Sequence, residues 1–499
     1  MSLASALVER ACGRQRAAGR ESVYTGRGSG QGPGVPPVRL WRGTTQQVCG
    51  LWPLSQSAEA PMIGAPLGAM IGGSGMVCGD HITWFKQGLI TSPSALVLGL
   101  NGYGKSSLVR RVMTYHAYSG THTMVLGDIK PDYVDLVRAL GGQVIEIGRD
   151  GEGINPLDAG NVGDAAARLR AAGLDQAAAD VLYQAHERRK TMLFSLIQIS
   201  RGSAPTNLEE LVVDEALRVM DIDSSRGQAT LGDLLGIIRN APASVMEVAM
   251  ARGSRSRYQE RTEDLEIALM ALLRGRMGSI FSAPTTTPMR IDRSVVFDVS
   301  ALEQANKDLQ AAVLLSTWSY GFATIALSQS LADAGLLARR SYNLVMDELW
   351  RILGTSSGMV DRINSLTRLN RTVGCGQMMI THSLTDFTAL ASERDRAQAR
   401  TFAEKANMLY LGAISDREID ALRGVKAFND EEIATLMSWN ASAAWDRWAK
   451  APGPLPGLGK MMLKTSGAPG LAFQVRFAPD EEVLSDTSRR WGVNRGRVR

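Results

Sequence analysis

Cysteine is scarce in this chain. There are four in 499 residues, Cys12, Cys49, Cys78 and Cys375, and no two form a CxxC pair. A disulfide scaffold and a zinc ribbon are both excluded, and the usage suits a reducing compartment. Histidine is nearly as rare, with five residues and no His/Cys spacing suited to a metal. No Ser-His-Asp set and no GxGxxG with a downstream acid stands out. Lysine is rare as well, 10 against 45 arginines. Charge of neither sign dominates, because 55 basic residues meet 50 acidic ones for a net charge of +5. That balance permits contact with nucleic acid or an anionic membrane but does not argue for either.

Long hydrophobic runs are also missing. No apolar segment follows Arg10, Arg14, Arg16 and Arg20, so no secretory signal is read there. Between Arg42 and Asp80 the only charge is Glu59, and Gly64, Gly68 and Gly72 are spaced GxxxG. Pro61, Pro66, Gly73, Ser74 and Gly75 interrupt that stretch, which reads as a Gly-rich loop leading into a strand. No integral membrane span is expected.

What is present is ordinary globular composition, 44% hydrophobic and 21% charged, in a chain long enough for about two to four domains. Residues 1–38 are Gly- and Arg-rich and read as a disordered segment. From Trp41 the chain becomes apolar. His81–Lys86 reads as a short strand and Ala95–Gly99 as a buried one. Ser106–Tyr118 reads as a helix, Thr123–Gly127 as a strand, Asp132–Leu140 as a helix and Gln143–Ile147 as a strand. That alternation indicates parallel βαβ units. Residues 160–275 change to Ala-, Leu- and Arg-rich helical periodicity, with Glu187–Lys190 and Arg252–Arg261 as solvated charged faces. Strand patterns resume at Ser294–Val299. A long helix near Asn306–Ser328 follows, then strands Asn343–Met346, Gln377–Ile380 and Met408–Leu411. Lys460–Lys464 and Leu471–Phe477 read as a hairpin, before a polar tail. The fold class is α/β, with a mostly parallel sheet. A first core part covers 39–159, an all-α insertion 160–275, a second core part 276–480 and the tail 481–499.

Gly99-Leu100-Asn101-Gly102-Tyr103-Gly104-Lys105-Ser106 matches GxxxxGK[ST], between an apolar strand and an amphipathic helix. Glycines let the backbone turn so that N–H groups face phosphate oxygens, and the helix N-terminus adds its positive end. Lys105 is expected to reach the β- and γ-phosphates of ATP and the Ser106 hydroxyl to ligate Mg²⁺. Ser107 belongs to the same turn of backbone. In a chain that fills most basic positions with Arg, a compact Lys charge at this place is telling. The strand Asn343–Met346 ends in Asp347 and Glu348. Asp347 is expected to hold Mg²⁺ and Glu348 to polarise the attacking water. Asp128 and Lys130 follow the strand Thr123–Gly127, at a carboxyl end where α/β sites lie. Thr381-His382-Ser383 follow another strand, where a polar group can sense the γ-phosphate. Arg368 and Arg371 precede that strand three residues apart, on one face of an expected helix.

Five blocks in order resemble the TraC-like conjugative-transfer ATPases of type IV secretion systems, within the HerA/FtsK superfamily of P-loop ATPases. They are PMIGAPLGAMIGGSG, LVLGLNGYGKSSLVRR, DIKPDYVDLVRALGGQVIEIG running to INPLD, NLVMDELW, and TRLNRTVGCGQMMITHSLTDF. The DxKxxY…LGG…NPLD stretch is the most particular, and the resemblance covers about 40–480. It implies a RecA-like core with a helical insertion, ATP hydrolysis and a homo-hexameric ring. The implied partners are membrane secretion-channel proteins, with DNA as a further candidate, at a cytoplasmic location peripheral to the inner membrane face. It carries Lys105 and Ser106 to phosphate and magnesium, Asp347 and Glu348 to metal and water, and an arginine finger to Arg368 or Arg371. The usual Thr-Gln sensor reads Thr381-His382 here. The alternative is a DNA-translocating pump of the FtsK or HerA kind, which DNA-stimulated turnover would favour.

Overall fold

The computed structural model describes residues 61–73, 75–149, 152–222, 229–347, 374–384, 393–443, 445–446, 451–453 and 455–484. All of these belong to one unit, residues 58–499. Its centre is an 11-stranded sheet in the order β2-β1-β13-β12-β9-β3-β8-β7-β4-β6-β5. The strands are β1 Pro66–Met70, β2 Met76–Cys78, β3 Ser94–Leu98, β4 Thr121–Asp128, β5 Gln143–Glu146 and β6 Val295–Asp298. They continue with β7 Ser341–Met346, β8 Cys375–Thr381, β9 Met408–Leu411, β12 Lys460–Thr465 and β13 Leu471–Val475, while β10 Trp445–Asp446 and β11 Ala451–Pro452 pair with each other in a small separate sheet. From β9 to β5 every pairing is parallel. β12, β13, β1 and β2 extend the sheet antiparallel. The fold class is therefore α/β with a mostly parallel, mixed sheet.

The unbroken apolar strands have a simple cause: both faces of this sheet are covered. Successive side chains point to opposite faces. Leu96 and Leu98 of β3 join one core with Met124, Leu126, Leu344 and Met346. Ala95 and Val97 join the other with Val125, Val345, Met378 and Ile380. The second core is closed by helix α2 (Lys105–Tyr118), through Leu108, Val109, Val112 and Met113. The first is closed by the long helix Lys307–Asp333, whose Thr317 hydroxyl donates to the Leu126 carbonyl. Among the described residues this is the one helix long and apolar enough to cross a membrane, and 83% of its apolar window is buried inside the fold.

Between β5 and β6 the regular structure among the described residues is helical, from Val162 to Phe281. The charged run Glu187–Lys190 departs from the expected solvated face. All four residues are half-buried; Arg189 donates to the Leu157 carbonyl and pairs with Asp221, and Lys190 pairs with Glu187 and Asp214. Their acidic partners come mainly from the next helix, Asn207–Ile222, which a local charge pattern does not reveal.

His81–Lys86 is a helix, α1, and not the expected strand. The Asp80 carboxylate accepts the N–H groups of Ile82 and Thr83, an N-cap that overrides the strand propensity of Ile, Thr, Trp and Phe. The Gly-rich stretch before it is the β1–β2 hairpin. Gly68 is required there, since a Cβ would fall 1.8 Å from the Gln474 carbonyl oxygen of β13.

Candidate nucleotide site

The phosphate loop leaves the carboxyl end of β3. Its entry is tied to the segment after β9, with Gly412 N–H donating to Leu98 and Leu100 N–H to the Ala413 carbonyl at 2.8 Å. Gly102 and Gly104 take φ values of +80° and +102°, which a side chain would strain. Gly104 opens α2 without a side-chain cap, leaving the first helical N–H groups to be satisfied by other acceptors. The Tyr103 carbonyl accepts the Gly459 N–H at 3.0 Å, so the turn before β12 braces the loop. Asn101 is exposed and Ser107 half-buried on the first helical turn.

Lys105 is buried, with 6% of its surface exposed. Its ammonium donates to the Gly99 carbonyl at 2.7 Å, the Leu100 carbonyl at 3.2 Å and Asn101 Oδ1 at 3.4 Å. A buried cation needs such acceptors. The Ser106 hydroxyl donates to Asp132 Oδ2 at 2.7 Å.

Strand order places the other groups. β8 lies between the loop strand β3 and β7, with Leu98 beside Thr381 and Met346 beside Met379. The carboxyl ends of β3, β8, β7 and β4 therefore form one edge, where α/β folds bind ligands. Asp347 follows β7, and its Oδ2 accepts the Tyr133 hydroxyl at 2.9 Å. Thr381 ends β8 buried, and His382 follows it half-buried. The next residues are held from outside the sheet: Glu418, on the helix Asp416–Arg423, accepts the Ser383 hydroxyl and the Leu384 N–H. Glu348, Arg368 and Arg371 lie outside the described residues.

Asp128 ends β4, and its carboxylate serves its own turn. It accepts the N–H groups of Asp132 at 3.0 Å and Tyr133 at 2.7 Å. Burial pushes its pKa up to about 8, against the pull of those two N–H groups and with help from the charges of Asp132 and Asp347. The buried Arg110 guanidinium lies within the field of Asp132 and Asp128 and donates to the Asp132 carbonyl. Burial, reinforced by the Asp347, Asp132 and Asp128 charges, raises the Tyr133 phenol well above its ordinary range, so it stays a donor. The helix expected over Asp132–Leu140 begins only at Val134, which leaves Asp132 and Tyr133 on a turn facing the loop and β7.

Asp132 and Glu418 are site residues that pattern alone does not single out, and Tyr133, the last residue of the DxKxxY pattern, carries no sign there of its bond to Asp347. The available signal was Pro131, which disfavours helix at the residue before it, together with an acid and a phenol just after a strand end. Ser106 and Asp347 offer a hydroxyl and a carboxylate oxygen, the hard donors that suit Mg²⁺. The uncapped helix start and Lys105 suit a polyphosphate. The residues present thus fit Mg²⁺ and a nucleoside triphosphate.

No protein-family model matches the chain, and no curated protein matches it in sequence. Among solved structures, VirB4 of Thermoanaerobacter pseudethanolicus superposes with a TM-score of 0.61 at 16% identity, over 85% of this chain and 100% of that one. The bacterial conjugative coupling protein TrwB, in its unbound monoclinic form, gives 0.46 at 12% identity, over 77% and 85%. TrwB with the ATP analogue ADPNP gives 0.45 at 10%, over 85% and 96%. The TrwB likenesses are too loose to bear on the fold, whereas that to VirB4 spans the whole of its chain. The chain therefore has the fold of VirB4 of Thermoanaerobacter pseudethanolicus.

Proposed function

We propose that this chain is an ATP-hydrolysing motor that energises the transfer of DNA or protein through a type IV secretion-type channel. The observation that carries the reading is the shared strand edge, where a GxxxxGKS loop with a buried Lys105 opens an uncapped helix on the same edge as Asp347. Lys105 binds the β- and γ-phosphates, releasing its loop carbonyls as it does so. Ser106 and Asp347 would hold Mg²⁺, which would supply positive charge to offset that of the phosphates. Glu348 polarises the attacking water. His382, at the end of the strand between loop and Asp347, stands where the γ-phosphate is sensed. Arg368 or Arg371 reaches from a neighbouring subunit.

The resemblance supports the rest of the reading: a homo-hexamer, docked on membrane secretion-channel proteins at the cytoplasmic face, with DNA as a candidate contact. The test is steady-state ATP turnover of the purified protein, with and without single- and double-stranded DNA. Lys105→Ala should fold and lose turnover by on the order of 10²-fold or more, as expected when a preorganised group on the transferring phosphate is removed. Wild-type turnover in a folded Lys105→Ala protein would sink the reading.

A further inference from the structure

We propose that Asp132 and Tyr133 are positioning residues of the magnesium site, Asp132 acting through the Ser106 hydroxyl and Tyr133 through the Asp347 carboxylate. This inference rests on the nucleotide-site reading above and adds two residues to it.

A serine hydroxyl has one proton and two lone pairs. Ser106 commits its proton to Asp132 Oδ2 at 2.7 Å, which leaves the oxygen lone pairs for a cation. Asp347 Oδ2 accepts the Tyr133 hydroxyl at 2.9 Å, which fixes the rotation of that carboxylate. The two anchors are adjacent residues on one turn, while the groups they hold stand on different elements, the start of α2 and the end of β7. One short segment thus sets the position of both oxygen donors.

The turn itself is clamped. The Asp128 carboxylate accepts both its N–H groups, Arg110 donates to the Asp132 carbonyl, and the helix does not begin until Val134. Tyr133 is fully buried, so its hydroxyl cannot swing away from Asp347. Groups that orient metal ligands in this way typically change metal affinity when removed, and they leave the rest of the ligand site in place.

The experiment separates metal from nucleotide. Binding of a fluorescent ATP analogue is measured in EDTA and then across a Mg²⁺ titration. The variants are Asp132→Ala, Asp132→Asn and Tyr133→Phe, with melting curves as the check of folding. Mn²⁺ binding, read by paramagnetic resonance with a non-hydrolysable ATP analogue, is the second readout. In EDTA each variant should bind the analogue as the wild type does. The Mg²⁺ half-saturation should rise about tenfold in Asp132→Ala, as for the loss of a ligand-orienting partner, and less in Asp132→Asn, whose amide oxygen still accepts from Ser106. Tyr133→Phe should also raise it, and Mn²⁺ affinity should fall in parallel. If Asp132→Ala fails to fold, Asp132→Asn and Tyr133→Phe carry the test. Folded variants with wild-type Mg²⁺ half-saturation overturn the proposal. So does a loss of affinity equal in EDTA and in Mg²⁺, which marks a purely structural role. A wild-type protein that binds no nucleotide in either condition overturns the nucleotide-site reading as well, and so is distinguishable from failure of this inference alone.

Discussion

His81 sits fully buried at the start of α1, its Nε2 2.9 Å from Asn343 Oδ1 of β7. Beside it the Asp80 carboxylate receives His116 Nε2 at 3.0 Å. Burial alone would raise the Asp80 pKa, but the hydrogen bond and charge of His116, the Thr83 N–H and His81 together hold it well below the usual carboxylate range. For His81 the balance falls the other way. Burial and the His116 charge outweigh Asp80 and the Asn343 contact and bring its pKa down to about 4. An unfolded histidine titrates near 6.5. Stability from this site is thus present above pH 6.5 and is lost as pH falls from there through 4, because the unfolded chain binds the extra proton first. The shift corresponds to about 3 kcal/mol. Unfolding measured by denaturant at several pH values should show that slope, and His81→Gln, which keeps a donor to Asn343, should flatten it. An unchanged slope in the variant would place the acid sensitivity elsewhere.

Helix Asp430–Trp439 is joined to the β12–β13 hairpin by one buried ion pair. Lys464 Nζ lies 2.7 and 3.0 Å from the two Glu432 oxygens, and both side chains are nearly sealed from solvent. Glu432 also accepts the Asn429 and Gly470 N–H groups, so it caps its own helix and fixes the hairpin turn. Burial raises the Glu432 pKa, and Lys464 with these N–H groups overcomes that and lowers it. Removing one member of such a pair strands a buried charge. Glu432→Ala should cost about 3–5 kcal/mol in urea unfolding. Lys464→Met should cost less, because Glu432 keeps its backbone donors. Equal and small losses would mean that water reaches the pair. The same element scale explains two local surprises. The strand propensity of His81–Lys86 yields to the Asp80 cap, and the helix after β4 starts late because the Asp128 carboxylate takes up the N–H groups of Asp132 and Tyr133.

For the whole molecule, the proposed ring makes a prediction that one subunit cannot. If Arg368 or Arg371 acts in a neighbour's site, the two halves of a site reside on different chains in a closed head-to-tail interface. A finger of this kind contributes on the order of 10³–10⁵ in rate, since it meets charge that develops only in the transition state. Lys105→Ala and Arg368→Ala/Arg371→Ala proteins should each be nearly inactive. Mixed after subunit exchange, they should regain turnover where a finger-bearing Lys105→Ala subunit faces an intact loop. No recovery in subunits shown to exchange counts against action between chains, and wild-type turnover of the double arginine variant alone ends it.

The parallel core was legible in the chain because buried parallel strands are apolar on both faces, so Ala95–Gly99, Asn343–Met346 and Met408–Leu411 read as strands without any knowledge of their neighbours, and the structure has strands at Ser94–Leu98, Ser341–Met346 and Met408–Leu411. The GxxxxGKS loop was legible because its glycines, lysine and serine are contiguous: the positive φ of Gly102 and Gly104 calls for glycine, and Lys105 and Ser106 stand out by their side-chain chemistry. Strand order was not, since β8 inserts between β3 and β7 through pairings that no local pattern encodes. Nor were Asp132 and Tyr133 as partners of Ser106 and Asp347, or Glu418 as the anchor of the segment after β8. Each of those contacts joins segments distant in sequence, and its hydrogen bonds exist only once the sheet has brought their ends to one edge.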